Sequence, residues 1–206
     1  MLSLTKPLPD SFKVNGEDWT IDLSFDNVLR WYELLDDDEV DDYDKVLKAF
    51  AFFIGTGTGS TPETQVEVVS KISAYVQQTI YGDHDEPETD LEGTPMPQER
   101  FFSYDKDADA IYSSFMADYH IDLIDAQGSL RWEKFKALFD GLSDQTKFQQ
   151  IISIRQRSPN GLEGEELTSL IEAQEYYRLD DKDSQDRLDQ QMGDVFSMLS
   201  QAAEEG

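Results

Sequence analysis

An acidic, proline-containing segment near the middle of the chain divides the sequence into two parts. Residues 83–99 hold seven Asp or Glu residues and no Lys or Arg, and their only large apolar side chains are Leu91 and Met96. Such a segment buries too little apolar surface to offset the entropy lost on ordering, so we expect a disordered acidic linker. The predicted organisation is a β-hairpin plus helices at 1–82, the linker at 83–99, an aromatic helical domain at 100–158 and an acidic helical extension at 159–206.

The charge of the chain excludes several classes of ligand. The 206 residues include 44 acidic and 17 basic ones, for a formal net charge of −27. Nucleic acids and anionic membranes attract basic surfaces, so neither is an expected partner. The chain has no cysteine, which excludes disulfides and thiol chemistry. Aromatic residues make up 12% of the chain and supply area for a core, so we expect a globular protein. The N-terminal residues lack the apolar run of a signal peptide, and the longest apolar run, 49–54, is far too short to span a bilayer, so we expect the protein to be soluble and to stay where it is made.

The first part combines a hairpin pattern with three helical patterns. Apolar and polar residues alternate on both sides of Asn15-Gly16, the residue pair preferred in tight hairpin turns. Ser24 stands where it could cap a following helix. Apolar periodicity predicts helices over 25–35, 42–54 and 62–81.

The second part is predicted to be almost wholly helical. The periodic segments are 105–119, 130–139, one that includes 148–154, 165–179 and 184–203. The fold class is therefore mainly α, or α+β if the hairpin is counted.

Two segments resemble functional motifs but are better explained as loops. The glycine-rich run 55–60 lies between helical patterns, yet it lacks the lysine and the glycine spacing of a phosphate-binding loop. The acidic run 36–44 would need burial to act as a catalytic carboxylate pair. Consecutive carboxylates are more typical of a solvated loop, and we interpret the run in that way.

No metal or catalytic site is predicted. Asp105, Asp107 and Asp109 are spaced like the first ligands of a calcium loop, but Ala110 and Met116 stand where that loop needs Gly and Glu. We interpret these carboxylates as favourable charges at a helix N-terminus. The two histidines lie far apart in the sequence, and no nucleophile–base arrangement is visible. We expect a protein that is not an enzyme and binds no cofactor.

The order of apolar and aromatic residues resembles a known phage family. The second part reads Tyr104-Asp105, Ile111-Tyr112, Phe115, Tyr119, Leu130-Arg131-Trp132, Phe135, Leu138-Phe139, Phe148 and Ile151-Ile152-Ser153-Ile154-Arg155, and the chain opens with Pro7-Leu8-Pro9-Asp10, Val14-Asn15-Gly16 and Ile21-Asp22. This order is similar to that of tail assembly chaperone-like proteins of long-tailed phages of Gram-positive bacteria, encoded between the major tail protein and the tape measure protein. The similarity covers about residues 1–55 and 101–157.

The resemblance implies a role in virion morphogenesis through protein–protein interaction. It implies a chaperone that binds the tape measure protein, and keeps it soluble until tail-tube proteins polymerise around it. The expected location is the host cytoplasm, outside the mature virion, and a homo-oligomer is compatible with such a role. The favoured partner contacts are Trp132, Phe135, Phe139, Leu188, Val195, Phe196 and Leu199. Two alternatives stay open: a structural tail or connector component, and an acidic DNA mimic that inhibits a host protein.

Overall fold

A computed structural model describes residues 2–78 and 101–179 of the chain. The described residues form two compact units. The first unit contains residues 2–78 and 127–136, and the second contains residues 101–126 and 137–179. The predicted linker at 83–99 and the predicted helix at 184–203 lie outside the described residues.

The described fold is mainly α with one small sheet, as predicted. Its elements in chain order are β1 (Ser11–Val14), β2 (Glu17–Thr20), α1 (Phe25–Asp36), α2 (Asp42–Phe53), α3 (Pro62–Val76), α4 (Ala108–Tyr119), α5 (Trp132–Asp140), α6 (Lys147–Gln156) and α7 (Gly164–Tyr176). The glycine-rich run connects α2 to α3, and the acidic run 36–44 spans the connection between α1 and α2.

The hairpin forms around the predicted turn. Val14 pairs with Glu17 in the antiparallel register, which leaves Asn15 and Gly16 as a two-residue loop. Both loop residues have positive φ, 53° and 86° respectively. This is the conformation of a type I′ turn, whose twist matches that of the flanking strands.

The core of the first unit is built from the apolar faces of α1, α2 and α3. Trp31 on α1 is fully buried, and its Nε1 donates to Ser73 Oγ on α3 at 3.2 Å. Lys45 on α2 is also buried, and its Nζ donates to the Leu35 carbonyl oxygen near the end of α1 at 2.8 Å. That bond helps to satisfy the carbonyl groups in the last turn of α1.

Residues 127–136 pack with the first unit, whereas the sequence placed them inside a domain at 100–158. Arg131 forms an isolated antiparallel bridge with Ser24. Phe25 N donates to Leu130 O at 2.9 Å, and Trp132 N donates to Leu23 O at 2.8 Å. Residues 130–131 take part in this extended pairing and therefore cannot be helical. For this reason α5 begins at Trp132 rather than at residue 130.

One helix start and one helix cap differ from the sequence prediction. The first residues expected in α4 form a turn, in which Asp107 N donates to Ser103 O at 3.0 Å, and the helix begins at Ala108. Ser24 precedes α1 but its side chain makes no capping bond, and its buried Oγ has no hydrogen-bond partner. Asp41 and Thr146, by contrast, do cap α2 and α6 through their side chains.

Candidate functional site

The three aromatic residues favoured as partner contacts are all buried. Trp132, Phe135 and Phe139 are 3%, 1% and 6% exposed. In the first unit, the Phe135 ring stacks on Phe25 with centroids 4.8 Å apart, and Trp132 Nε1 donates to the Val76 carbonyl oxygen at 3.1 Å. A partner could reach these rings only after the core had opened. Their assignment as contacts stays a prediction.

Phe139 belongs to an aromatic cluster in the second unit. Its ring lies 4.9 Å from Phe148, 5.2 Å from Phe102 and 5.3 Å from Tyr104, centroid to centroid. Phe102 also meets Phe148 and Tyr104 edge to face, an arrangement that aromatic rings prefer when they pack together. The other favoured contacts lie outside the described residues; they are Leu188, Val195, Phe196 and Leu199.

A partly buried polar cluster in the first unit joins α3 to the start of α5. Tyr75 Oη donates to Glu133 Oε1 at 2.8 Å, and Arg131 Nη2 donates to the same oxygen at 2.7 Å. Burial alone would raise the pKa of Glu133, but the bonds from Arg131 and Tyr75 outweigh it and hold that pKa below its ordinary value. Burial, followed by the bond to the carboxylate, raises the pKa of Tyr75 well above its ordinary value. At neutral pH Glu133 is therefore ionised and accepts both bonds, while Tyr75 is protonated and donates one of them.

The second unit contains a buried ion pair that the sequence reading missed. Arg155 Nη1 and Nη2 donate to the two carboxylate oxygens of Asp107 at 2.6 and 2.8 Å, and the side chains are only 7% and 4% exposed. Asp107 therefore does not serve mainly as a charge for the helix dipole, as we expected from its position. A signal existed in the sequence, because Arg155 directly follows the apolar run 151–154 and a buried arginine needs a carboxylate.

The same arginine ties together three stretches of the second unit. Nη1 also donates to the Phe101 carbonyl oxygen at 2.8 Å, and Nε donates to the Tyr177 carbonyl oxygen at 2.6 Å. The carboxylate of Asp107 accepts a further bond from Ser103 N at 3.0 Å. Arg155 thus links the segment before α4 to the end of α7, with a planar fork that lysine could not reproduce.

A cleft of about 540 Å³ opens beside this ion pair, and α4, α6 and the end of α7 supply its walls. The charged side chains that line it are Lys106, Asp107, Asp109, Lys147, Arg155 and Arg178. Ile151 supplies an apolar side chain, and Tyr176 and Tyr177 supply aromatic ones. Six of the 11 lining residues are charged, so ionic contacts dominate what this cleft can offer to a ligand.

Helix α7 exposes apolar side chains to solvent. Ile171 and Tyr176 are 52% and 80% exposed, whereas Leu170 is buried. The helix is held from its inner side by Gln174, whose Nε2 donates to the Ile154 and Arg157 carbonyl oxygens at 2.9 and 2.7 Å. The outer side of α7 is therefore available to a partner in the described part of the chain.

The described residues contain neither a metal-binding cluster nor a membrane-spanning helix. Within 2–78 and 101–179, no group of three or more Asp, Glu or His side chains is placed to hold a metal ion. None of the helices in those ranges has both the length and the apolar composition needed to cross a membrane.

The fold and the buried polar groups define a two-unit, mainly α protein whose polar clusters hold helices together. The chain belongs to a phage family, because the model of the bacteriophage Gp15 protein family matches residues 4–179. Comparisons with curated proteins and with solved structures found no match. The family match confirms the expected phage origin. It extends beyond residue 157, where the resemblance seen in the sequence ended, and so includes α7.

Proposed function

We propose that this protein is a tail assembly chaperone that binds the tape measure protein of its phage and keeps it soluble during tail morphogenesis. The observation that carries the proposal is membership of the bacteriophage Gp15 protein family over residues 4–179. The protein acts in the host cytoplasm and is absent from the mature virion. It works by binding alone, with no catalysis and no cofactor, and the tail-tube protein is its second partner.

The physical properties of the chain support this role. A tape measure protein is a long helical chain with apolar surface, which a chaperone must cover until assembly. Exposed apolar side chains flanked by charge, such as Ile171 and Tyr176 among the glutamates of α7, can dock against such a helix. The net charge of −27 supplies like-charge repulsion that keeps the complexes dispersed.

Co-expression provides the direct test. The tape measure protein of the same phage is produced with and without this protein, and its soluble fraction is measured after centrifugation. We expect a large gain in soluble tape measure protein, and co-elution of the two chains on size exclusion. Tape measure solubility that does not depend on this protein would contradict the proposal.

Variants of α7 make the test specific. Ile171→Asp and Tyr176→Ser should reduce co-elution with the tape measure protein. Glu172→Gln changes another exposed residue of the same helix and should leave co-elution unchanged. Proteomics of purified particles separates the main alternative, because a structural tail or connector component would be present at a fixed copy number in the virion.

A further inference from the structure

The cleft of the second unit concentrates positive charge on a strongly acidic protein. Four of the chain's 17 basic residues are among the 11 residues that line it. Only two carboxylates line the same cleft, those of Asp107 and Asp109. The local balance is therefore 4 − 2 = +2, against −27 for the whole chain. Glu175, 3.9 Å from Arg178, lowers that balance to +1, and a screening length of about 8 Å at physiological salt weakens the influence of acidic residues farther away.

The innermost charges are already satisfied. Arg155 gives two bonds to Asp107 and one each to the carbonyl oxygens of Phe101 and Tyr177. This uses nearly all of its five N–H donors, so Arg155 holds the cleft together and is not a ligand anchor.

The charges at the rim are only weakly satisfied. Lys147 Nζ donates to Tyr177 Oη at 2.6 Å, a neutral partner, and within the described residues no carboxylate forms an ion pair with it. Arg178 has a carboxylate of Glu175 at 3.9 Å, but the two side chains are 66% and 71% exposed. An exposed pair at that distance contributes little. Lys147 and Arg178 therefore gain more from an added anion than Arg155 does.

We propose that this cleft binds an acidic peptide segment of a partner protein. Carboxylates of the segment pair with Lys147 and Arg178, and its apolar groups lie against the exposed ring of Tyr176. A phosphate site would require a guanidinium fork held in place or converging backbone N–H groups; the fork of Arg155 is consumed by Asp107, and the Arg178 side chain is 66% exposed and not held in place. A lysine point charge beside aromatic and apolar walls suits a carboxylate-bearing chain better. The inference goes beyond the chaperone proposal and stands without it, because it is argued from the cleft alone.

The test measures binding of a defined probe to the full chain. A fluorescein-labelled hexaglutamate peptide is titrated with the protein at physiological salt, and its fluorescence anisotropy is followed. Lys147→Gln and Arg178→Gln should each weaken binding by about fivefold, because each removes one partly desolvated ionic contact. Lys147→Arg keeps the charge and should restore most of the affinity. Lys48→Gln, an exposed lysine of α2 outside the cleft, is the matched control and should leave the affinity unchanged.

The outcomes separate the proposal from its alternatives. All substituted side chains are exposed, and far-UV circular dichroism checks that each variant is folded. A hexaglutamine peptide that binds as tightly as hexaglutamate would overturn the proposal, and so would equal losses in Lys147→Gln and Lys48→Gln. Inorganic phosphate is added as a competitor at the same total concentration of negative charge as the peptide. If it displaces the peptide, the cleft binds small oxyanions and the proposal is wrong. Because no tape measure protein is present, this result does not depend on the outcome of the chaperone experiment.

Discussion

Arg155 connects three stretches of the second unit through its hydrogen bonds. Its substitution by methionine removes the guanidinium but keeps much of the side-chain volume. The carboxylate of Asp107 would then lie buried with only the Ser103 N–H bond remaining. Leaving one partner of a buried ion pair uncompensated costs about 3–5 kcal/mol, so we expect Arg155→Met to lower the free energy of unfolding by that amount.

A double-mutant cycle distinguishes the ion pair from the loss of packing. Asp107→Leu combined with Arg155→Met should cost less than the sum of the two single changes, by about 1–3 kcal/mol. Urea unfolding followed by far-UV circular dichroism is the measurement, since Trp19, Trp31 and Trp132 all lie in the first unit and do not report on the second. Strictly additive losses would show that the pair is not coupled.

Tyr75 should make stability sensitive to alkaline pH. Its pKa is raised in the folded protein, so the stability that its neutral form provides is fully present below the ordinary pKa of 10.0. As pH rises above that value the unfolded chain loses the proton first, and the free energy of unfolding falls. Tyr75→Phe should cost about 1 kcal/mol at pH 7 through the lost hydrogen bond, but should flatten the decline above about pH 10.

Unfolding curves in urea between neutral pH and about pH 11 give the comparison. Tyr43→Phe is the control, because this exposed tyrosine lies at the surface of α2. An alkaline decline that is equally steep in Tyr75→Phe and in the wild-type protein would contradict the role assigned to the Tyr75–Glu133 bond.

At the scale of the elements, the sequence predicts those features that residues close together in the chain determine. The turn at Asn15-Gly16 was predictable because both residues tolerate positive φ, and the start of α3 because Thr61 precedes a proline at the first helical position. The true start of α5 was not predictable. Residues 130–131 fit a helical pattern, but their backbone pairs with Ser24 and its neighbours, more than 100 positions earlier in the chain. Such a contact leaves no local signal.

Helix α7 is attached through few polar contacts, and Gln174 supplies two of them. Gln174→Ala removes the bonds to the Ile154 and Arg157 carbonyl oxygens. At about 0.5–1.5 kcal/mol per bond, local opening of α7 should become roughly tenfold more frequent. Amide hydrogen exchange of α7 should accelerate accordingly, while α4 keeps its protection. Glu172→Ala, exposed on the same helix, should leave exchange near the wild-type rate; equal acceleration in both variants would mean that Gln174 has no special role.

At the scale of the whole molecule, the sequence does not distinguish core residues from interface residues. Trp132, Phe135 and Phe139 were favoured as partner contacts because aromatic residues at helical spacing suit either role. The structure buries all three, and the exposed apolar side chains are instead isolated ones such as Ile171 and Tyr176. Periodicity records which residues share a helix face, but not what covers that face. The cleft was missed for a related reason, since its cations lie on α6, before α4 and after α7 and meet only in the fold.

The net charge of −27 should make the folded protein more stable when salt is added. Two electrostatic effects compete. Screening weakens the exposed ion pairs, such as Arg157–Glu166, but it also weakens repulsion among the excess carboxylates. Exposed pairs contribute at most about 1 kcal/mol each, and the Asp107–Arg155 pair is buried and little screened. Carboxylate repulsion is therefore the stronger of the two effects, and compaction of the chain increases it.

Raising sodium chloride from about 10 to about 150 mM shortens the screening length from about 30 to about 8 Å. We expect Tm to rise by at least about 3 °C, since for a chain of this size 1 kcal/mol corresponds to about 2–4 °C. Thermal melts followed by circular dichroism give the value. Potassium chloride at the same ionic strength should produce the same rise, because screening does not depend on the identity of the cation. A rise confined to one cation would indicate site binding, and a fall in Tm would mean that the exposed ion pairs stabilise the fold more than carboxylate repulsion destabilises it.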